Sequence, residues 1–172
     1  LLVKSARIVL QHSPTVLFVV VGGNPQQVEQ WQGRASAYGL ENTVVFTGTV
    51  PLAEALSYLD AAEILVSPRT EGMSVPLKVY SYLQSGKPIV ATDIFAHSQV
   101  LTAEMAILVA PTAEAFADGI LRLVQSPDLR RELGLRGQQF VKKQFDLTDY
   151  LAEMDRVYQE LGQPTLPSEQ AD

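Results

Sequence analysis

The chain has 172 residues, 47% of them hydrophobic and 19% charged, enough for one domain with its own core and too apolar for a disordered chain. A net charge of −6 without a long basic run argues against a nucleic-acid partner. The absence of cysteine and the presence of only two histidines exclude disulfides and thiolate metal sites and leave no basis for a histidine metal site.

Leu1, Leu2, Ala6, Val9 and Leu10 recur at helical spacing and predict a helix ending near His12, where Ser13-Pro14 breaks it. Residues 16–21 are a continuous apolar, β-branched run, the pattern of a strand covered on both faces. Gly22-Gly23-Asn24-Pro25 follows, with glycines that permit positive φ and close approach to a ligand, and a proline that opens a helix. The inner face of that helix would hold Val28, Trp31, Ala35 and Tyr38, and Gly39 would stop it. Residues 44–46 predict a second strand, leading into Thr47-Gly48-Thr49-Val50-Pro51 and a short helix over 52–59.

Residues 63–66 predict the third strand, which stops at Ser67-Pro68. A polar loop with Glu71 and Gly72 comes next, then a helical pattern opened by Pro76 and ended by Gly86, then Lys87-Pro88 and a buried run over 89–91. Strand, loop, helix, turn and strand within residues 67–93 and their approach have the size of a βαβ unit. Residues 94–97 read as a loop, 98–101 as one helical turn and 106–109 as the last strand. Thr112 caps a helix over 113–125, Ser126-Pro127-Asp128 caps another over 129–144, and Asp146 caps a third. The third runs through Leu161, with Leu147, Tyr150, Leu151, Met154, Val157, Tyr158 and Leu161 on one face. Residues 1–161 thus form one domain, and 162–172, with two prolines, read as a tail.

Strands alternating with helices imply an α/β fold with a doubly wound, Rossmann-like parallel sheet flanked by helices. Right-handed crossovers bring every strand's carboxyl end to one edge. The loops at 22–25, 47–51, 67–76 and 92–98 therefore share a rim, where open α/β sheets bind anions and nucleotides.

Glu71-Gly72, Pro76 and Gly86-Lys87-Pro88-Ile89-Val90-Ala91-Thr92 resemble the nucleotide-sugar site of GT-B glycosyltransferases, in particular the retaining family 4. The approach from Tyr58 through Ala62 to Pro68 resembles the family's strand entry as well. The resemblance covers residues 1 to about 161. It implies the C-terminal, donor-binding domain of a hexosyltransferase, with a nucleoside diphosphate sugar as substrate and no resident cofactor or metal. A second, acceptor-binding domain is expected upstream, since Leu1 opens in mid-helix without an initiator Met. The location expected for the longer protein is cytoplasmic, with peripheral membrane association left open.

Carried over residue by residue, the resemblance puts Glu71 beside the donor sugar as the catalytic carboxylate. Gly72, Met73 and Ser74 would offer backbone amides to sugar and phosphate. Pro76 and Leu77 would stand at a helix N-terminus that favours phosphate. Gly48 and Val50 would lie by the base, with Gly22 and Gly23 on the same rim. The chain departs from the family at two points. Three residues separate Gly72 from Pro76 where one is usual, and Ser81 occupies the position of a second Glu that grips the ribose. A hydroxyl makes single hydrogen bonds and cannot clamp a diol as a carboxylate does. The family's diphosphate-binding Arg and Lys are expected upstream of Leu1. Arg69 and Lys78 are candidate phosphate contacts or plain surface cations, Lys87 is expected to be structural, and His97 would face a sugar or lie on the surface. A second reading stays open: a non-catalytic GT-B-like binding or assembly module with a degenerate donor site.

Overall fold

The structure, a computed structural model, describes residues 1–145 and 147–162. In chain order it comprises α1 (Leu2–His12), β1 (Phe18–Val21), α2 (Pro25–Ser36), β2 (Val44–Gly48), α3 (Leu52–Ala61), β3 (Leu65–Ser67) and α4 (Lys78–Ser85). Then come β4 (Ile89–Thr92), α5 (Phe95–Ser98), β5 (Ile107–Val109), α6 (Ala113–Gln125), α7 (Pro127–Gln144) and α8 (Leu147–Gly162). The expected cap at Asp146 and the expected tail beyond Gly162 lie outside the described residues. Gly162 itself closes α8 rather than opening a tail.

The helix starts follow local chemistry. Asn24 caps α2 through a reciprocal pair: its side chain accepts from the Gln27 N–H (2.9 Å) and the Gln27 side chain accepts from the Asn24 N–H (3.0 Å). Thr112 and Ser126 accept from the backbone N–H groups of Ala115 and Leu129 in the same manner. At the other end, Gly86 stops α4 with φ 71°, a left-handed conformation that glycine adopts without a Cβ penalty.

All strand pairs are parallel, in two sets: β1 with β2, and β3–β4–β5. The three-stranded set is the interior of the fold, and every residue of β4 is buried. A core of Val3, Ala6, Val9, Phe18, Val44, Val90, Ile107, Phe116, Ile120 and Leu123 joins both sets under α1 and α6. A second cluster, Leu65, Val79, Leu83, Ile89, Leu101 and Met105, packs α4 on the other side of β3 and β4.

The structure corrects three expectations. Residues 16–21 read as a strand covered on both faces, yet β1 alternates, with Phe18 buried and Val19 and Val21 exposed. The helical turn expected at 98–101 forms three residues earlier, as α5. The expected inner face of α2 is only partly realised: Ala35 is buried, whereas Trp31 is 37% exposed and carries the Arg34 guanidinium over its ring at 4.5 Å. On α8 the apolar stripe includes Leu151, Val157 and Tyr158, all exposed. Among the described residues no helix is long and apolar enough to cross a membrane.

Candidate functional site

β3 delivers Ser67 to the rim fully buried, and the chain leaves it through Pro68 into the loop that carries Glu71. Three polar side chains fasten this exit. The Ser67 hydroxyl lies 2.9 Å from His97 Nε2. His97 Nδ1 lies 2.8 Å from the Thr92 carbonyl oxygen, and the Thr92 hydroxyl donates to the carbonyl oxygen of Arg69. A carbonyl only accepts, so Nδ1 carries the proton and Nε2 accepts from Ser67. The ends of β3 and β4 and the turn α5 are thereby tied together beneath the loop.

His97 is fully buried, so neither expected role, facing a sugar or lying on the surface, holds. It became an internal strut because α5 starts at Phe95 and turns the third residue of the helix inward. A signal was available: Ser67 shares the buried phase of Leu65 at a strand end, and a buried hydroxyl calls for a partner. Burial pulls the His97 pKa below its usual value, the hydrogen bond to the Thr92 carbonyl opposes it in part, and the charges of Lys78 and then Arg69 add lesser downward pulls. The folded state therefore holds His97 neutral while the unfolded chain takes up a proton near pH 6.5. Stability is full above that pH and falls as the pH drops below it toward the lowered folded-state pKa. We expect the unfolding free energy from urea titration to decline between pH 7 and 5.5, with a slope of at most about 1.4 kcal/mol per pH unit. His97→Asn should be less stable and should lose that slope, and an equal slope in the variant would show the proton is taken up elsewhere.

The loop is held by its own residues. Arg69 Nη1 donates to the Ser74 carbonyl (3.2 Å), and Gln99 Nε2 donates to the Met73 carbonyl (2.8 Å). Gly72, with φ 137°, lets the Arg69 guanidinium pass beneath it, since a β-carbon there would stand 2.6 Å from Arg69 Cζ. Arg69 is thus a staple across the loop that Glu71 heads. Glu71 itself is exposed, and with Pro68, Arg69, Thr70 and Gly72 it lines an open depression of about 660 Å3. Met73, Leu77 and Phe95 add exposed apolar side chains nearby on the same loop and on α5.

Pro76 and Leu77 precede α4 rather than open it. The Val79 N–H donates to the Pro76 carbonyl (2.9 Å) and the Tyr80 N–H to that of Leu77 (3.2 Å), a tight turn that leads into the helix. Lys78 extends at the surface over the Tyr82 ring, 5.7 Å from its centroid. Its pKa is lowered by desolvation and then by the Arg69 charge. Ser81 is exposed, one turn into α4. Lys87 donates to the Asp60 carbonyl (2.7 Å), the structural use expected of it.

Gly22, Gly23, Gly48 and Val50 gather in a second cluster at the carboxyl ends of β1 and β2. The Gly22 N–H donates to the Gly48 carbonyl (2.9 Å) and the Thr49 hydroxyl to the Gly23 carbonyl (3.1 Å). All three glycines have positive φ, at 109°, 98° and 70°. Among the described residues no hydrogen bond links this cluster to the Glu71 loop.

Comparison with known proteins extends these observations. The chain is 28% identical over 158 residues to the phosphatidyl-myo-inositol mannosyltransferase of Mycobacterium tuberculosis, covering 88% of this chain and 40% of that protein. It is 24% identical over 147 residues to an uncharacterized glycosyltransferase of Methanocaldococcus jannaschii, covering 84% and 37%. The chain therefore spans about two fifths of the length of these curated relatives. Among solved structures, sucrose-phosphate synthase from Thermosynechococcus elongatus superposes with a TM-score of 0.77 at 24% identity, over 92% of this chain and 42% of that one. Anabaena HepE in complex with UDP gives 0.78 at 18% identity, over 91% and 44%. The fold is thus that of one Rossmann-like half of a GT-B glycosyltransferase. Residues 1–126 match the family described as glycosyl transferases group 1, and the chain belongs to that family.

Proposed function

We propose that the chain is the donor-binding domain of a retaining glycosyltransferase, and that its longer parent moves a sugar from a nucleoside diphosphate to an acceptor held by a second, N-terminal domain. The observation that carries this reading is the exposed Glu71 carboxylate on a stapled loop at the carboxyl end of β3, opening on the depression of about 660 Å3. That edge is where open α/β sheets take nucleotides. Further support comes from the relatives: HepE structures carry UDP and UDP-glucose.

In this reading Glu71 accepts two hydroxyl hydrogens of the sugar, and its charge favours the positive character that builds at the anomeric carbon as the bond to the diphosphate breaks. The departing electron pair goes to the diphosphate. The acceptor oxygen attacks from the same face and gives its proton to a diphosphate oxygen. Gly72, Met73 and Ser74 offer backbone amides to sugar and phosphate, Pro76 and Leu77 shape the turn beside them, and Gly22, Gly23, Gly48 and Val50 border the base. The test is calorimetry of the parent with UDP, GDP and their sugar conjugates, beside an assay for donor hydrolysis. Saturable binding with turnover supports the reading, and no binding of any nucleotide would sink it.

One observation favours a second reading, that of a binding module without turnover. Ser81 stands where the resemblance puts a ribose-gripping carboxylate, and it is exposed. If Ser81 borders the ribose, Ser81→Glu should tighten nucleoside diphosphate binding about tenfold, the worth of a charge-assisted over a neutral hydrogen bond. An unchanged dissociation constant would place Ser81 away from the nucleotide.

A further inference from the structure

We propose that the groove between α2 and the free edge of β2 takes an extended, cationic peptide segment of a partner protein, which adds to β2 as an outer strand. The groove has a volume of about 510 Å3. One stripe of α2, formed by Glu29, Gln32, Gly33 and Ser36, makes one wall, and residues 44–46 of β2 make the other. An extended peptide lying between an edge strand and a helix is a recurrent mode of recognition, with main-chain bonds giving affinity and side-chain contacts giving specificity.

The strand offers the main-chain bonds. Among the described residues β2 pairs with β1 alone. The Phe18 N–H donates to the Thr43 carbonyl (2.9 Å), so Val45 and Thr47 turn their backbone groups toward β1 in this parallel ladder. Phe46, between them, turns its N–H and carbonyl outward. Such an edge is a template for a further strand, and natural edges are commonly blunted by lysine, proline or a covering element. Val-Val-Phe-Thr-Gly over 44–48 carries neither lysine nor proline.

Gly33 is an independent sign. It lies within α2, where glycine is among the least favourable residues. Its φ is not in the left-handed region, and a β-carbon there would meet nothing within 4 Å. Neither backbone conformation nor packing within the fold calls for glycine at 33, and the missing side chain leaves room in the groove.

Charge selects the peptide. Glu29 and Glu41 both line the groove, and neither is in an ion pair with a described residue. Glu41 accepts only from the Ser36 hydroxyl (2.8 Å). The single cation of α2, Arg34, is held over the Trp31 ring instead. Successive side chains of an extended segment point to opposite faces. A peptide of alternating cationic and apolar residues would set its cations toward the two carboxylates and its apolar side chains beside the exposed Val45. None of these residues lines the Glu71 depression, so the inference stands apart from the donor reading.

The test titrates three capped peptides into the 172-residue chain and into the longer parent: Lys-Val-Lys-Val-Lys, Glu-Val-Glu-Val-Glu, and the first one N-methylated at alternate residues. Calorimetry and residue-resolved amide exchange are the readouts. We expect saturable binding of the first peptide with slowed exchange at Phe46. The N-methylated peptide should bind about tenfold more weakly, having lost the main-chain bonds. Glu29→Gln combined with Glu41→Gln should weaken the cationic peptide by about tenfold, and added salt should weaken it in the unchanged protein. Gly33→Leu, which keeps a good helix former, should abolish binding without lowering the melting temperature. Absence of saturable binding, equal affinity for the N-methylated peptide, or undiminished binding by folded Gly33→Leu would overturn the proposal. So would Phe46 protection without peptide that grows with concentration alongside a dimeric mass, which would assign the edge to a second copy. Slowed exchange at Phe46 with a neutral maltooligosaccharide and none with the peptides would assign the groove to sugar instead.

Discussion

On the proposed function, Glu71→Ala in the longer parent should lower sugar transfer by about two to four orders of magnitude. The size follows from two charge-assisted hydrogen bonds to sugar hydroxyls, each worth about 1.5–3 kcal/mol, at tenfold per 1.4 kcal/mol. The same change should leave the fold alone. Glu71 is exposed, and the loop beneath it is held by Arg69, Gln99 and the buried Ser67–His97–Thr92 chain, none of which uses the Glu71 side chain. A surface substitution of that kind alters stability by no more than about 0.5 kcal/mol. The measurement is transfer rate together with melting temperature for both proteins. Transfer within threefold of wild type would remove Glu71 from the reaction. A fallen melting temperature would assign it to the scaffold instead. Glu71→Gln sharpens the result, because it keeps shape and hydrogen bonding and removes the charge.

The second large effect concerns packing rather than chemistry. Gly134→Ala should destabilise the domain by about 2 kcal/mol or more, although intrinsic propensity alone predicts a gain of about 1 kcal/mol for glycine to alanine within a helix. The reason is the close approach of α7 to the end of α4. A β-carbon at 134 would collide with the Gly86 carbonyl oxygen and stand 2.9 Å from the Gly86 carbonyl carbon. That carbonyl cannot yield easily, because Gly86 is fixed at φ 71° as the cap of α4 and leads directly into the fully buried β4. Overpacking against rigid backbone costs about 1–3 kcal/mol and at times more. For a domain of this size the loss corresponds to a fall in melting temperature of about 4–8 °C. Gly33→Ala supplies the control. Position 33 lies within α2 with nothing near the added carbon, so that variant should gain up to about 1 kcal/mol. Gly134→Ala as stable as wild type would mean that α7 can shift freely from α4. The Glu71 loop would then rest on a softer support than the structure implies, since α4 carries its C-terminal side.

Placed together, these predictions separate what the linear chain could say from what it could not. The element types and nearly all their positions were legible, because they rest on local rules: apolar period, Pro25 as a helix opener, Thr112 and Ser126 as caps, Gly86 as a left-handed stop. Strand ends moved by a residue or two, and α5 formed three residues early, because four-residue helices carry too little periodicity to place. The Glu71 loop was legible through its resemblance to a family motif and its position after a buried strand.

What the sequence by itself determined is an α/β chain whose polar loops follow its strands, with Glu71 on one of them. Composition, period and capping chemistry act over a few residues and need no partner. Only the tertiary structure decided that His97 is a buried strut beneath the loop and that Arg69 spans it from below. The same is true of the alternating exposure along β1 and of Gly134 as a helix crossing. Each of those depends on which distant surfaces meet, and burial and hydrogen-bond partners are set by neighbours far away in the chain.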